Sequence, residues 1–451
     1  MVYNRNISIE FRYTMDFNKQ LDNFITFIVA CYASCFMNFC SIVFFRVDSY
    51  SLGVIITGLA ITVFFLRNMP VFAIGMRSSF FNLSLVLFVL YPLFAFVYSP
   101  YKDPMEICKH IFYSMLMLYT ILLIIKGDNE QVGKLYLWAL IITAIGGLLS
   151  VYAPQYFNEF AINRISRHSG KTLESYEYTM SWGRAYGFQF QPNAFAISLM
   201  SFMFGFIYFF QTKSAITKIM TIFFCGFVII LSGSRSGLMI YMVICGLFLY
   251  HSYFKGIYLK NGRMENGTRT IVIFLISGIL ALIAFFVLKP ILFPNEQIYT
   301  FRGAQTPLTR MINFFSGDIS QDMSVTSRLS IQLEYLKYVL TCGLPALIGS
   351  GYASIDYFVI SGKFELIPHN IFVHMLVEYG VFFMVLFIFL FTSGTLSVKR
   401  IQNIQEKFYA FDFIAVLFVS GMCGELFKTP ELPLAIGIYI GIISKSNLIR
   451  R

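Results

Sequence analysis

The sequence predicts an all-α polytopic membrane protein of about twelve transmembrane helices, with a large and partly helical loop on one side. Three observations predict it. Of 451 residues, 57% are hydrophobic and 13% charged, where a soluble domain is nearer half apolar and a quarter charged, so the excess apolar surface has to face lipid. Apolar stretches near the roughly 20 residues that cross a bilayer recur along the chain. Lys and Arg are distributed unevenly between the two sets of connections these stretches define.

In chain order, residues 1–22 are mostly polar and lack a small-residue cleavage pattern, so the first span is expected to remain in the bilayer. Spans are predicted at 23–45, 51–66, 79–98, 111–125 and 135–152, which form an N-terminal group over 23–152. A polar loop follows at 153–193. A central group over 194–288 holds spans at 194–210, 216–231, 237–254 and 271–288. A second and longer loop covers 289–379, and a C-terminal group over 380–451 holds spans at 380–397, 408–427 and 430–447 before a short tail.

Twelve spans put both termini on one side. With that side inside, its segments carry 19 Lys and Arg. The short connections of the other side carry five: Arg46, Lys102, Lys109, Arg235 and Lys428. Positive residues collect on cytoplasmic loops, so both termini are expected inside and both long loops outside. The formal charge of +11 then belongs to topology, and nucleic acid is not expected as a partner. No Gly-rich phosphate loop follows a strand pattern, which argues against a nucleotide-driven motor. The eight Cys show no metal-ligand spacing, so neither a metal site nor a disulfide framework is expected.

Loops far longer than a connection needs usually carry function. In the second loop, Leu329, Leu333, Leu336 and Leu340 recur at helical spacing behind Ser327, a candidate N-cap. They predict an amphipathic helix over 328–340 lying along something apolar. Gly343, Gly349 and Gly351 follow and permit tight turns. Residues 371–379 then read as a helix leading into the next span.

Four constellations stand on the outer side. Gly233-Ser234-Arg235-Ser236-Gly237 joins two spans. Arg there suits an anion held by a guanidinium and backbone amides at a helix N-terminus, or equally headgroup snorkelling. Arg184 lies in Trp182-Gly183-Arg184-Ala185-Tyr186-Gly187, ahead of Gln191-Pro192-Asn193, where Pro suits a helix start; an ordinary loop salt bridge is the alternative. Arg328 heads the amphipathic helix, as an anion ligand or a solvated charge. Pro368-His369-Asn370 offers an imidazole suited to proton transfer and an Asn that could bond a sugar or cap the next helix. His374, five residues on, is off the helical face and is not paired with His369. Three Arg and a His from separate outer segments together suit a lipid-linked diphosphate. Arg forks neutralise phosphate oxygens, and such a group leaves well when its developing charge is stabilised.

These residues resemble the O-antigen ligase and O-antigen polymerase superfamily of bacterial membrane glycosyltransferases. The matching stretches are Gln191-Pro192-Asn193-Ala194-Phe195-Ala196 and Leu231-Ser232-Gly233-Ser234-Arg235-Ser236-Gly237-Leu238. They continue with Gly349-Ser350-Gly351, then Pro368-His369-Asn370, Glu378 and Gly380, in the family's order. The resemblance covers roughly 180–395.

It implies a GT-C-like fold in the bacterial inner membrane with a periplasmic active site. The donor would be an oligosaccharide on undecaprenyl diphosphate and the acceptor a glycan, with no metal or other cofactor needed. Carried over, Arg184, Arg235 and Arg328 would hold the diphosphate and His369 would act as general base, with inversion at the anomeric carbon. Tyr352 and Asn370 would orient sugars; Glu378 matches the motif without an assigned role. A polymerase would join repeat units on their carrier, with room for a chain-length regulator as partner. A ligase would move the finished glycan to the lipid A core. The long second loop and the chain length favour the polymerase. A flippase for the same lipid-linked sugar is the remaining alternative; it would place charge at mid-bilayer and show repeated halves, and neither is seen.

Overall fold

The computed structural model describes residues 3–45, 49–155, 184–189, 191–210, 215–258, 272–279, 323–423 and 429–449. Among these residues every regular element is a helix. In chain order they are α1 (Tyr3–Ala33), α2 (Phe36–Phe45), α3 (Ser49–Arg67), α4 (Met69–Gly75) and α5 (Ser79–Tyr98, with a π turn at Val86–Leu90). Then come α6 (Pro104–Lys126), α7 (Asn129–Tyr152), α8 (Pro192–Phe209), α9 (Ala215–Ser232) and α10 (Arg235–Tyr258). The last are α11 (Met323–Thr341), α12 (Leu344–Ile348), α13 (Ser354–Ile360), α14 (Ile371–Val398), α15 (Ile404–Cys423) and α16 (Glu431–Leu448).

By length and composition, α5, α6, α7, α8 and α14 can each cross a membrane. A sixth span forms if Leu52–Arg67 and Met69–Gly75, bent by 75°, count as one. These are the helices of a membrane protein.

Local chemistry sets the helix ends. On α6, Asp103 accepts a hydrogen bond from the Met105 amide at 2.9 Å, Pro104 takes the first helical position, and Gly127 closes the helix at φ +82°. The predicted first span is not one helix. It divides after Ala33, and Cys35 takes φ +62°, a conformation that stops an α-helix of L-residues. The polar N-terminal stretch is itself helical from Tyr3. Of the span predicted at 271–288, residues 272–279 are helical and the rest lies outside the described residues.

One large apolar core runs through the bundle. Its tightest seam joins α6 to α16. A Cβ at Gly437 would run into Thr120 and the Met117 carbonyl, and one at Gly441 would press on Ile124. Two glycines four apart let the backbones touch, and Thr120 Oγ1 donates to the Leu434 carbonyl at 3.1 Å.

Polar groups gather at the two ends. At one end Asp22 takes Arg67 at 2.9 Å and Lys126 at 3.1 Å, while Glu406 takes Lys445 at 2.8 Å. These cations belong to the segments the charge count assigns to the inside. Asp412, wholly buried, holds His251 Nε2 at 2.7 Å and the Tyr208 hydroxyl, tying α8, α10 and α15 together.

At the opposite end the predicted long loop folds into a small helical cap. Its core is Ile331, Tyr335, Val339, Ile355, Phe358, Val373 and Val377. The amphipathic helix over 328–340 is present as part of α11, with two corrections. It begins at Met323, so Ser327 is inside it and does not cap it. Its packed face is Ile331, Tyr335 and Val339, whereas Leu329, Leu333 and Leu340 are exposed. Both rows have helical spacing, and the aromatic neighbours of α13 and the cap select the first. Residues 289–322 lie outside the described residues.

The cap is fastened to the bundle at a break in α14. Gly380 there has φ +77°, ψ −178°, which frees the carbonyls before it. The Ser350 amide donates to the Val377 carbonyl at 2.8 Å, the Gly351 amide to Glu378 at 3.0 Å, and the Tyr91 hydroxyl to Tyr379 at 2.9 Å. A Cβ on Gly349 would collide with the Glu378 carbonyl, and one on Gly380 with the Leu347 carbonyl. The Gly-Ser-Gly motif and Gly380 are thus two halves of one joint. We expect Gly349→Ala or Gly380→Ala to lower stability by about 3 kcal/mol or more, through strain and collision together. Gly362→Ala, at φ +73° with open space around it, should cost only about 1 kcal/mol. Thermal unfolding in detergent checks this; equal losses at all three positions would count against the joint.

Candidate functional site

The side chains singled out in the sequence lie at the cap end of the bundle. Arg184 enters as a short segment that crosses the ends of α7 and α9. Its Nε donates to the Ser232 carbonyl at 2.7 Å and its Nη2 to the Gly233 carbonyl at 3.3 Å. Those carbonyls are orphaned by the end of α9, so a buried guanidinium suits them. The Ala185 amide continues the contact onto the Leu231 carbonyl at 3.0 Å. The guanidinium therefore fixes the turn that carries Arg235.

That turn is built for a helix start. Gly233 takes φ +59°. Ser234 Oγ accepts from the Gly237 amide at 3.2 Å and donates to Asn193 Oδ1 at 2.9 Å. Arg235 then stands at the first position of α10, whose positive end favours an anion.

Arg328 comes from α11, and its charge is close enough to act on Arg235. Burial first, and the Arg328 guanidinium second, lower the Arg235 pKa. Two guanidinium groups brought within reach of each other's charge repel. An arrangement of this kind is relieved by an anion between them.

The His369 loop reaches the same helix. Asn370 Nδ2 donates to Gln332 Oε1 at 3.5 Å, and Gln332 stands one turn beyond Arg328 on the same face of α11. Asn370 Oδ1 caps α14, accepting from the Phe372 amide at 3.0 Å and the Val373 amide at 3.3 Å. Of the two uses the sequence allows for Asn370, capping is the one the structure displays. His369 precedes it at φ +45°, half-buried. A left-handed non-Gly residue is held only where its surroundings require it.

Tyr352 lies elsewhere, in a cavity of about 220 Å³ below the loop, between α5, α6, α14 and α16. Its hydroxyl donates to the Glu106 carbonyl at 3.2 Å and its ring meets His110 edge-on at 5.4 Å. Burial, then the charges of Glu378, Glu106 and Asp356, raise the Tyr352 pKa. On α14, His374 Nε2 stands 3.2 Å from Glu378 Oε1. Sequence reasoning left His374 and Glu378 without roles, although their four-residue spacing on one helix was a readable signal. Glu106 and His110 carried no such signal, because only the fold brings α6 to this wall.

These placements give different expectations for different arginines. Arg184→Ala should lower stability by about 1–3 kcal/mol, since it leaves buried carbonyls without donors. Asn370→Ala should cost about 1 kcal/mol, with Asn370→Asp close to wild type. Arg328→Gln should leave the unfolding midpoint unchanged or slightly raised, because it relieves repulsion. Denaturation of the three variants in detergent tests this set.

A search of curated proteins finds no match. A family model described as O-antigen ligase matches residues 220–388. That segment holds Arg235, Arg328, the Gly349-Ser350-Gly351 joint, His369 and Glu378, the motifs whose geometry is described above, and over it the chain is similar to the O-antigen ligase and polymerase superfamily.

Proposed function

We propose that this protein is an O-antigen, or related surface polysaccharide, polymerase. It would join oligosaccharide repeat units carried on undecaprenyl diphosphate at the periplasmic face of the bacterial inner membrane. One observation carries the reading: the Arg235 and Arg328 guanidinium groups, from helices far apart in sequence, act on each other beside the His369 loop. Two like charges drawn together favour a polyanion between them, and a diphosphate supplies one.

In this reading the chain crosses the bilayer about twelve times with both termini in the cytoplasm, and the cap with its cluster of arginines is periplasmic. The Lys and Arg count supports that orientation. His369 takes the proton of the acceptor hydroxyl as its oxygen attacks the anomeric carbon of the donor sugar. The bond from that carbon to the diphosphate breaks, and the lipid diphosphate leaves with the electron pair. Attack opposite the leaving group inverts the anomeric centre. Arg235 and Arg328 hold the growing negative charge on the diphosphate, a contribution that matters most in the transition state. Arg184 acts through the turn it fixes. The residues themselves supply the base and the charge neutralisation, so the reaction is expected to run without metal or nucleotide.

The experiment supplies purified protein with lipid-diphosphate repeat units, without nucleotide or added metal. Chain growth on the carrier supports the polymerase. Transfer only after lipid A core is added identifies a ligase instead, and no product from either mixture overturns the enzyme reading. His369→Ala should lower the rate by about 10²–10⁴-fold. Arg235→Ala and Arg328→Ala should each lower it by about 10²–10³-fold with the protein still folded. Near wild-type rates in all three would remove them from the chemistry.

A further inference from the structure

The cavity below the His369 loop has a chemistry distinct from the arginine pair. Three carboxylates line it, Glu106, Asp356 and Glu378, against Lys109, which pairs with Glu106, and the imidazoles of His110 and His374. The Glu378 side chain is 3% exposed, and its Oε1, 3.2 Å from His374 Nε2, accepts no hydrogen bond. A buried acceptor in that state lacks the donor that native interiors normally provide. Aromatic rings make up much of the remaining wall, with Tyr352 and Tyr379 facing the carboxylates.

We propose that this cavity is the subsite for one sugar ring of the substrate that reacts at His369, and that it selects a neutral or amino-bearing ring over an acidic one. The proposal rests on the glycosyltransferase reading above. A pyranose presents hydroxyl or amino donors to carboxylates and flat C–H faces to aromatic rings, the two kinds of wall found here. Its donor would complete Glu378 Oε1. A uronate would add a further negative charge to this group, which like-charge repulsion disfavours. The volume of about 220 Å³ falls below the roughly 300–1,000 Å³ of drug-sized pockets, so it fits one ring and not an oligosaccharide. Placement agrees. His374 follows Asn370 by one helical turn, about 6 Å of rise, and its amide donates to the Asn370 carbonyl at 2.9 Å. A ring against His374 therefore lies within one sugar's length of the His369 loop.

The test is saturation-transfer NMR on the full chain in detergent with three methyl glycosides: a neutral N-acetylhexosamine, a hexosamine with a free amine, and a hexuronate. The first two should receive saturation and the third should not. Glu378→Gln keeps the shape and should weaken binding about tenfold, the effect of losing a charged hydrogen bond. Ser114→Met, which projects into the same cavity, should abolish binding while the unfolding midpoint is kept. No transfer to either favoured glycoside at about 10 mM, equal transfer to the hexuronate, or binding unchanged in both variants overturns the proposal. Ring binding that depends on Glu378 in a protein without glycosyl transfer would instead keep the subsite and remove the polymerase reading.

Discussion

The structure depends on how α14 is allowed to break. A helix that opens inside an apolar bundle leaves carbonyls without donors, and apolar side chains supply none. Here the Val377, Glu378 and Tyr379 carbonyls are taken by the Ser350 and Gly351 amides and the Tyr91 hydroxyl. That joint lets the first turns of α14 tilt away from the span and carry the Asn370 cap, the His369 loop and the Glu378 side chain. It also locks the cap to the bundle, since Gly349 and Gly380 touch backbone to backbone. Site, cavity and cap are consequences of one satisfied interruption.

The electrostatics divide in the same way. Cations at the end opposite the cap are paired with carboxylates such as Asp22 and Glu406, so their charge is used in holding helices together. At the cap end Arg184 is bound to carbonyls and serves the fold, whereas Arg235 and Arg328 oppose one another. A fold tolerates such opposition where a ligand resolves it, and sites with perturbed groups concentrate function for that reason. The carboxylate-lined cavity, whose His374 stands one turn along α14 from Asn370, has the opposite sign. A substrate with a diphosphate at one end and sugar hydroxyls at the other matches both.

Part of this was legible in residue order. The Gly-Ser-Arg-Ser-Gly turn reads as an open backbone ahead of a helix, and Ser234 and Gly233 fill those parts. Residues 371–379 read as a helix leading into a span, and they are one. The amphipathic helix was found but turned: its exposed leucines and its packed row of Ile331, Tyr335 and Val339 share the same period, so periodicity could not choose between them. Its start was misplaced by a few residues, because Ser327 looks like a cap wherever it falls. The break in the first predicted span at Cys35 left no trace in hydropathy.

The sequence by itself determined that this is a helical membrane protein, where most of its helices run, and which motifs resemble those of the O-antigen ligase and polymerase superfamily. Those properties follow from apolar length, from Pro and Gly at ends, and from short-range spacing, all local along the chain. Only the tertiary structure decided which arginine serves the fold and which faces another, that Asn370 caps a helix, and that Glu106 from α6 meets Glu378 from α14 across one cavity. Those outcomes depend on which helix faces pack together, and no local pattern encodes a contact between segments hundreds of residues apart.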